Sequence, residues 1–203
     1  MYREFIFMAS GGQTKLRIIR TIDRPIDTVS VSEICERAGI SRATFYKHFK
    51  SKYDISAWYS RQSEVRFLNE IGRSLSWREA YVRHFSCLEF ERNLFMYSSA
   101  GKWTPYGIDE VARSRATTIL KTLEMRGVLV KTDESWRFIV KAYAYLEIKM
   151  ASDWFKAGMG DPERFSALLE ECVPARLHEA LTLPCDFAPQ VIRAEGKMRE
   201  EPR

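Results

Sequence analysis

The sequence lacks several features that define common structural classes. Its 203 residues include only four cysteines, which lie far apart and form no Cys-x-x-Cys pair, so we expect neither a metal ribbon nor a disulfide framework. The sequence contains no run of about 18 apolar residues, so we predict no membrane span. The first eight residues include an acid and are too short for a signal peptide. We therefore predict a protein of the reducing cytoplasm without a membrane partner.

Motifs of catalysis and of cofactor binding are also missing. The sequence has three histidines and no nucleophile elbow, phosphate loop or zincin motif. His84 and Cys87 lie one helical turn apart, but no second ligand pair is near them in sequence, so we predict no metal site. Redox sensing is a weaker alternative, because Cys35 and Cys172 have the pattern of buried small hydrophobes. We predict no enzyme activity and no cofactor.

What is present is helical periodicity throughout the chain. Hydrophobic residues make up 45% and charged residues 29% of the sequence, which are ordinary values for a globular protein with a real core. Sustained two-residue alternation is absent, so we predict an all-α fold. The predicted helices span residues 14–23, 31–38, 42–49, 51–68, 77–90, 92–99, 106–126, 133–157 and 162–181.

Positive charge is concentrated in residues 42–52. Arg42, Lys47, Lys50 and Lys52 fall within this stretch, which contains no acidic residue. A local positive field of this kind suits a polyphosphate partner. Charge alone fits a solvated helix face equally well, so the spacing of the other residues has to decide.

That spacing is typical of a helix-turn-helix. Ser30 and Ser41 can cap two short helices, with Glu33 completing a capping box at the first, and Gly39 supplies the left-handed conformation that ends the first helix. The apolar positions around them predict one small shared core. Its predicted members are Ile34, Ala38, Gly39, Ile40, Phe45 and Phe49.

With its two phenylalanines turned inward, the second of these helices presents donors and positive charge to a DNA major groove. Arg42 lies near the N-terminus of the helix, where it can bind a guanine through two hydrogen bonds. Tyr46, His48 and Lys52 are better placed for phosphates. The side chains predicted to face DNA are Arg42, Ala43, Thr44, Tyr46, Lys47, His48 and Lys52.

The segment ICERAGISRATFYKHFKSKYDI closely resembles the DNA-binding signature of tetracycline-repressor (TetR) family regulators, and RPIDTVSVSEIC before it resembles the family's preceding residues. The strongest part covers about residues 25–58. The resemblance implies that Ser41 joins the DNA contacts and that Phe45 and Phe49 hold core positions. The variant around Pro25 and Lys52 is similar to a subgroup that includes regulators of dihydroxyacetone kinase operons.

The resemblance also implies the organisation of the chain. We expect a flexible extension over residues 1–12, a three-helix helix-turn-helix DNA-binding domain over 13–56, a larger helical ligand-binding and dimerisation domain over 57–183, and a flexible tail over 184–203. Residues 151–170 look like the family's last two helices, which pair with a partner subunit. Some apolar residues of these helices are expected to serve the core of the protomer and the rest to lie between subunits. The candidates for the interface stripe are Tyr143, Leu146, Met150, Trp154, Phe165, Leu168, Leu169 and Cys172.

Aromatic residues of the second domain are candidates for the lining of a ligand cavity. The alternative for each of them is an ordinary place in the helical core. The candidates are Phe85, Phe90, Trp103, Tyr106, Phe138 and Tyr145, with Phe95 and Tyr97 beside them.

Together these features predict a DNA-binding transcription regulator. The resemblance implies a repressor that binds a palindromic operator as a homodimer and is controlled by a small-molecule effector of unknown identity. One alternative is an activator or coactivator-type paralogue that acts through protein partners. Another is an interaction module that kept the head but lost DNA binding.

Overall fold

The computed structural model describes residues 12–96, 107–128 and 133–182, and within these ranges it contains nine α-helices and no strand. The predicted all-α fold is therefore confirmed. The helices are α1 (Gly12–Ile19), α2 (Val31–Ala38), α3 (Arg42–His48), α4 (Asp54–Phe67), α5 (Trp77–Phe90), α6 (Gly107–Met125), α7 (Glu134–Lys156), α8 (Pro162–Glu171) and α9 (Ala175–Thr182). Short 3-10 turns occur at Ile26–Thr28, Leu68–Glu70 and Arg92–Leu94.

Serine caps set the starts of several helices. The Ser30 hydroxyl accepts a hydrogen bond from the Glu33 backbone N–H at 3.1 Å before α2, and Ser76 and Glu79 form a complete capping box before α5. Each bond satisfies a backbone donor that the first helical turn leaves without a partner. Gly39 ends α2 at a φ of 59°, in the left-handed region, where a glycine carries no Cβ penalty.

Three predicted boundaries are wrong. The first helix ends at Ile19 and not near residue 23. The fourth begins at Asp54, whose carboxylate accepts the Ser51 backbone N–H at 2.8 Å and holds the preceding residues in a turn. The predicted helix over 162–181 is two helices, because Pro174 lacks an N–H and disfavours helical geometry at the residue before it. Beyond the turn that starts at Arg92, the predicted helix over 92–99 runs into residues outside the described ranges.

The helices form a small N-terminal group and a larger body joined by α4. Helices α1 and α2 pack on each other and α2 on α3, while in the body α6 packs along α7, and α5 lies between α4 and α8. Buried side chains run as one continuous cluster from Ile18 in the first group to Leu181 in α9. No helix in the described ranges is both long and apolar enough to cross a membrane.

Arg126, at the end of α6, connects two distant segments of the body. Its guanidinium donates to the backbone carbonyls of Ile71 and Leu181, each at 2.7 Å. The chain passes so close here that a Cβ on Gly72 would lie 1.6 Å from the Leu181 carbonyl oxygen. Arg126 thus holds the loop before α5 against the end of α9.

Replacing Arg126 with alanine is expected to lower the free energy of unfolding by about 1–3 kcal/mol, because partly buried carbonyls lose their donor. Urea unfolding followed by circular dichroism measures the change. Arg113→Ala, which changes an exposed arginine of α6, is the control and should stay within about 0.5 kcal/mol of wild type. Equal losses in both variants would contradict the assigned role.

Candidate nucleic-acid interface

The helix-turn-helix is built on a small aromatic core. Ile34 and Phe45 are completely buried, and Ala38 and Phe49 nearly so, while Ile40 is partly buried against them. The Phe49 ring lies 6.0 Å from that of Phe45 and 6.2 Å from the indole of Trp58 in α4, centroid to centroid. These contacts fix which side of α3 faces outward.

The outward side of α3 contains the polar and basic side chains that the sequence predicted for DNA contact. Ser41, Arg42, Ala43, Tyr46 and Lys47 are exposed, and Thr44 and His48 are half-buried. The structure therefore brings these seven residues together on one accessible surface.

Several of these side chains have partners within the protein. Arg42 donates from Nη1 to the Ser32 hydroxyl at 2.7 Å, and its guanidinium carbon lies 5.9 Å from the centre of the Tyr46 ring. The Ser41 hydroxyl accepts the Thr44 backbone N–H at 3.0 Å. Ser41 is thus the cap that starts α3, and Arg42 lies over the surface between α2 and α3.

Lys52 occupies a different environment from the rest of the predicted set. Its ammonium donates to the backbone carbonyls of Asp27 and Val29, both at 2.8 Å. Partial burial lowers the pKa of Lys52. In this structure Lys52 ties the loop between α1 and α2 to the turn that precedes α4.

Arg17 in α1 is a residue that the sequence analysis missed. Its Nε donates to the carbonyl of Ala38 at 3.1 Å, and its Nη2 donates to that of Gly39 at 3.0 Å. The acceptors are the last residue of α2 and the glycine that follows it, so Arg17 holds the beginning of the turn in place. No local motif links residues that lie 21 positions apart, and only the tertiary structure reveals the contact.

A group of four charged side chains joins the segment after α1 to α2. Arg24 Nη2 donates to both carboxylate oxygens of Glu33, at 2.8 and 2.7 Å, and Arg37 donates to Asp23 at 2.9 Å. These hydrogen bonds lower the pKa of Asp23 and of Glu33. The group links residues 23–24 to α2.

The helical body contains a cavity of about 270 Å³ between α4, α5, α6 and α7. Phe85 and Phe95, two of the predicted aromatic residues, line it. The prediction is wrong for Phe90, Phe138 and Tyr145, which are 52%, 75% and 48% exposed and lie on outer faces of their helices. Helical aromatic periodicity alone does not tell an inner face from an outer one. The predicted residues Tyr97, Trp103 and Tyr106 lie outside the described ranges.

Buried charges in this cavity were not predicted. Arg115 of α6 donates from Nε to Glu147 of α7 at 3.0 Å, and its Nη1 lies 3.4 Å from a carboxylate oxygen of Glu64 in α4. Burial raises the pKa of Glu147. Because the three side chains come from three helices far apart in sequence, no spacing signal marks them.

His84 lies in the wall of the same cavity and is buried. Its Nδ1 is 2.9 Å from the Ser63 hydroxyl, and burial lowers the pKa of His84 to about 3. The imidazole is therefore uncharged at neutral pH. Within the described ranges, no group of three His, Cys, Asp or Glu side chains is arranged to hold a metal ion.

The predicted interface stripe divides between the core and the surface. Tyr143, Trp154 and Leu169 are buried inside the protomer, with the Trp154 ring stacked on Phe165 at 5.0 Å, so their assignment to a subunit interface is wrong. A helical stripe serves the core of the protomer before it serves a partner. Met150, Leu168 and Cys172 are exposed, Cys172 against the expectation of burial, and Leu146 and Phe165 are half-buried.

A short helix held outward by a turn, with donors and positive charge on its accessible side, is the arrangement of a helix-turn-helix DNA-binding domain. Residues 21–57 match the family model of the bacterial regulatory proteins of the tetR family. Residues 21–57 therefore resemble the DNA-binding domain of these regulators. A comparison with curated proteins gave no match, and no finding supports the narrower dihydroxyacetone kinase subgroup.

The burial of His84 predicts a pH dependence of stability. Between pH 6.5 and about 3 the unfolded chain binds a proton at this imidazole and the folded chain does not, so stability falls as the pH falls through this window. One group contributes at most about 1.4 kcal/mol per pH unit. The slope of unfolding free energy between pH 6.5 and about pH 5, measured in urea, should therefore be shallower in His84→Gln.

The raised pKa of Glu147 acts in the opposite direction, because a proton bound in the folded state stabilises it at low pH. The informative quantity is therefore the difference in slope between variants. Ser63→Ala removes the hydroxyl partner but leaves the imidazole buried, so it should lower stability and keep the wild-type slope. Identical slopes in wild type and His84→Gln would refute the assignment.

Proposed function

We propose that this protein is a cytoplasmic, non-enzymatic transcriptional repressor that binds a palindromic operator as a homodimer and responds to a small molecule in its helical body. The observation that carries the proposal is the exposed side of α3, where Arg42, Tyr46 and Lys47 stand on a rigid aromatic core. A rigid scaffold that presents donors along a helix meets the geometric demand of major-groove binding.

The side chains of α3 divide into three roles. Arg42, at the N-terminal end, reads a base by exchanging its Ser32 contact for the acceptors of a guanine. Ala43 and Thr44 are small enough for the backbone to approach the groove. Tyr46, Lys47 and His48 bind phosphates, as does the exposed cap at Ser41, while Lys52 supports the surface through the loop that it anchors.

Arg42→Ala is expected to cost about 1–3 kcal/mol of operator affinity and to relax the base preference. Lys47→Ala should weaken binding to all sequences alike and reduce the slope of log K against log salt concentration by about one. Fluorescence anisotropy on promoter fragments beside the protein's own gene, at several salt concentrations, measures both effects. Lys121→Ala, an exposed lysine of α6, serves as the control. The roles are wrong if both variants lose equal affinity on every duplex.

Dimerisation is needed because one half-site gives too little affinity, and a two-fold dimer spans two major grooves about 34 Å apart. The exposed apolar residues of α7 and α8 support an interface on these helices. Phe138 and Tyr145 lie seven positions apart on one face of α7, and Met150 and Leu168 are also exposed. Exposed apolar side chains on these two helices are therefore candidates for an interaction site.

Phe138→Glu is expected to convert the dimer to a monomer and to abolish tight binding of a two-half-site duplex, because a charge replaces an aromatic ring at the interface. Light scattering coupled to gel filtration measures the mass. Val65→Glu introduces the same charge at a half-exposed apolar position of α4 and should remain a dimer. A dimeric Phe138→Glu protein would exclude this face.

Helix α4 is the proposed connection between the cavity and the DNA-binding helices. Its Trp58 packs on Phe49 at the end of α3, and its Ser60 and Glu64 line the cavity. A ligand that favours one position of α4 shifts the spacing of the two DNA-binding heads by as much as its affinities for the two states differ.

A further inference from the structure

We propose that the cavity between α4, α5, α6 and α7 binds a small organic cation, and that Glu64 is the residue that binds its charged group. This proposal rests on the proposed function, in which the helical body binds the effector. It adds the chemical class of that ligand. It is carried by the charges that line the cavity and by the apolar surface beside them.

Two carboxylates share one guanidinium at the inner end of the cavity. Arg115 is almost completely buried and contacts both Glu147 and Glu64. The other charged residues of the described lining, Arg61 and Glu110, are exposed and opposite in sign. Since the neighbouring imidazole is uncharged, the described lining carries one more negative charge than positive.

An excess charge in a partly buried site needs compensation, because water is largely excluded and the local dielectric constant is low. A cationic ligand supplies the missing charge. An anionic ligand meets repulsion from two carboxylates, while the guanidinium is already occupied by them. The cavity therefore selects against acids and, among molecules of equal size, favours a cation over a neutral ligand.

Of the two inner carboxylates, Glu64 is the one available to a ligand. Glu147 is 3% exposed and accepts the shorter bond from Arg115, at 3.0 Å. Glu64 is 18% exposed and lies 3.4 Å from the guanidinium, at the long limit of a hydrogen bond. Glu147 is thus the principal partner of Arg115, and Glu64 retains oxygens that can bind a second cation.

The rest of the lining suits a ring or a short hydrocarbon group. Phe95 and Phe155 stack at 5.2 Å between centroids, and with Phe85, Leu88 and Ile148 they form an apolar wall. A cavity of about 150 Å³ holds a benzene ring, so about 270 Å³ accommodates a ring with a charged substituent. Aromatic faces add attraction for a delocalised cation.

Three probes of nearly equal shape separate charge from size: benzamidine, benzamide and benzoate. Each is titrated calorimetrically into the full-length protein at neutral pH without DNA. We expect benzamidinium to bind at least about tenfold more tightly than benzamide, as hydrogen bonds to charged groups commonly provide, and benzoate to bind more weakly still. Benzoate binding as tightly as benzamidinium, or no saturable benzamidinium binding at millimolar concentration, would overturn the proposal.

Glu64→Gln tests the assigned residue. This variant leaves Arg115 paired one to one with Glu147, so it should fold as wild type does, as circular dichroism checks. The ratio of the Kd for benzamide to the Kd for benzamidinium should fall toward one, and benzamide should still bind. Glu110→Gln, an exposed carboxylate of the same lining, should keep the preference. An unchanged preference in Glu64→Gln excludes Glu64 as the anchor.

These titrations remain separable from the test of the proposed function. A failure to bind the cation leaves the operator affinities of wild type and Arg42→Ala as they were measured. A failure to bind DNA leaves the calorimetric comparison of the three probes intact.

Discussion

The structure depends above all on the burial of two phenylalanines, Phe45 and Phe49. Helix α3 has seven residues, too few to persist alone in water, since isolated helices of this length are unstable. Its order comes from tertiary packing: Phe45 is completely buried, and Phe49 rests on Trp58. The ammonium of Lys15 lies 4.5 Å from the centre of the same indole and covers the cluster. The polar side of α3 stays accessible because its other side is packed against this core.

Basic side chains in this protein either bind backbone carbonyls or lie exposed on the surface, and composition does not distinguish the two roles. Arg17, Lys52 and Arg126 donate to backbone carbonyls far away in sequence and thereby hold turns and chain ends together. Arg42 and Lys47 are exposed on α3. The net charge of +5 counts both kinds alike. A positive cluster in a sequence therefore overstates the charge offered to DNA, as the position of Lys52 illustrates.

Short-range signals predicted the N-terminal region well, because capping and turn chemistry act within four residues. The start of α2 after Ser30 and the left-handed conformation of Gly39 were both predicted from the sequence. Long-range packing limited the rest. Phe138 has the helical spacing of a core residue but faces outward, and the meeting of Arg115 with Glu147 joins residues 32 positions apart. No periodicity predicts which stripe of a long helix meets its neighbour, nor where two buried charges pair.

Helix α4 links the helix-turn-helix to the buried charges of the cavity. Its first turns contact the DNA-binding core through Trp58, and six residues later Glu64 reaches the buried guanidinium of Arg115. Under the proposed function, a ligand that draws Glu64 away from Arg115 changes the contacts of α4 with α6. The aromatic contact of Trp58 with Phe49 is then the route by which a rotation of α4 reaches α3. Packed cores respond by moving between discrete arrangements and not by gradual deformation. Under the proposed function, one loosely held carboxylate at this position gives a small cation leverage over the orientation of α3. The strength of that leverage is set by how much better the cation binds one arrangement than the other.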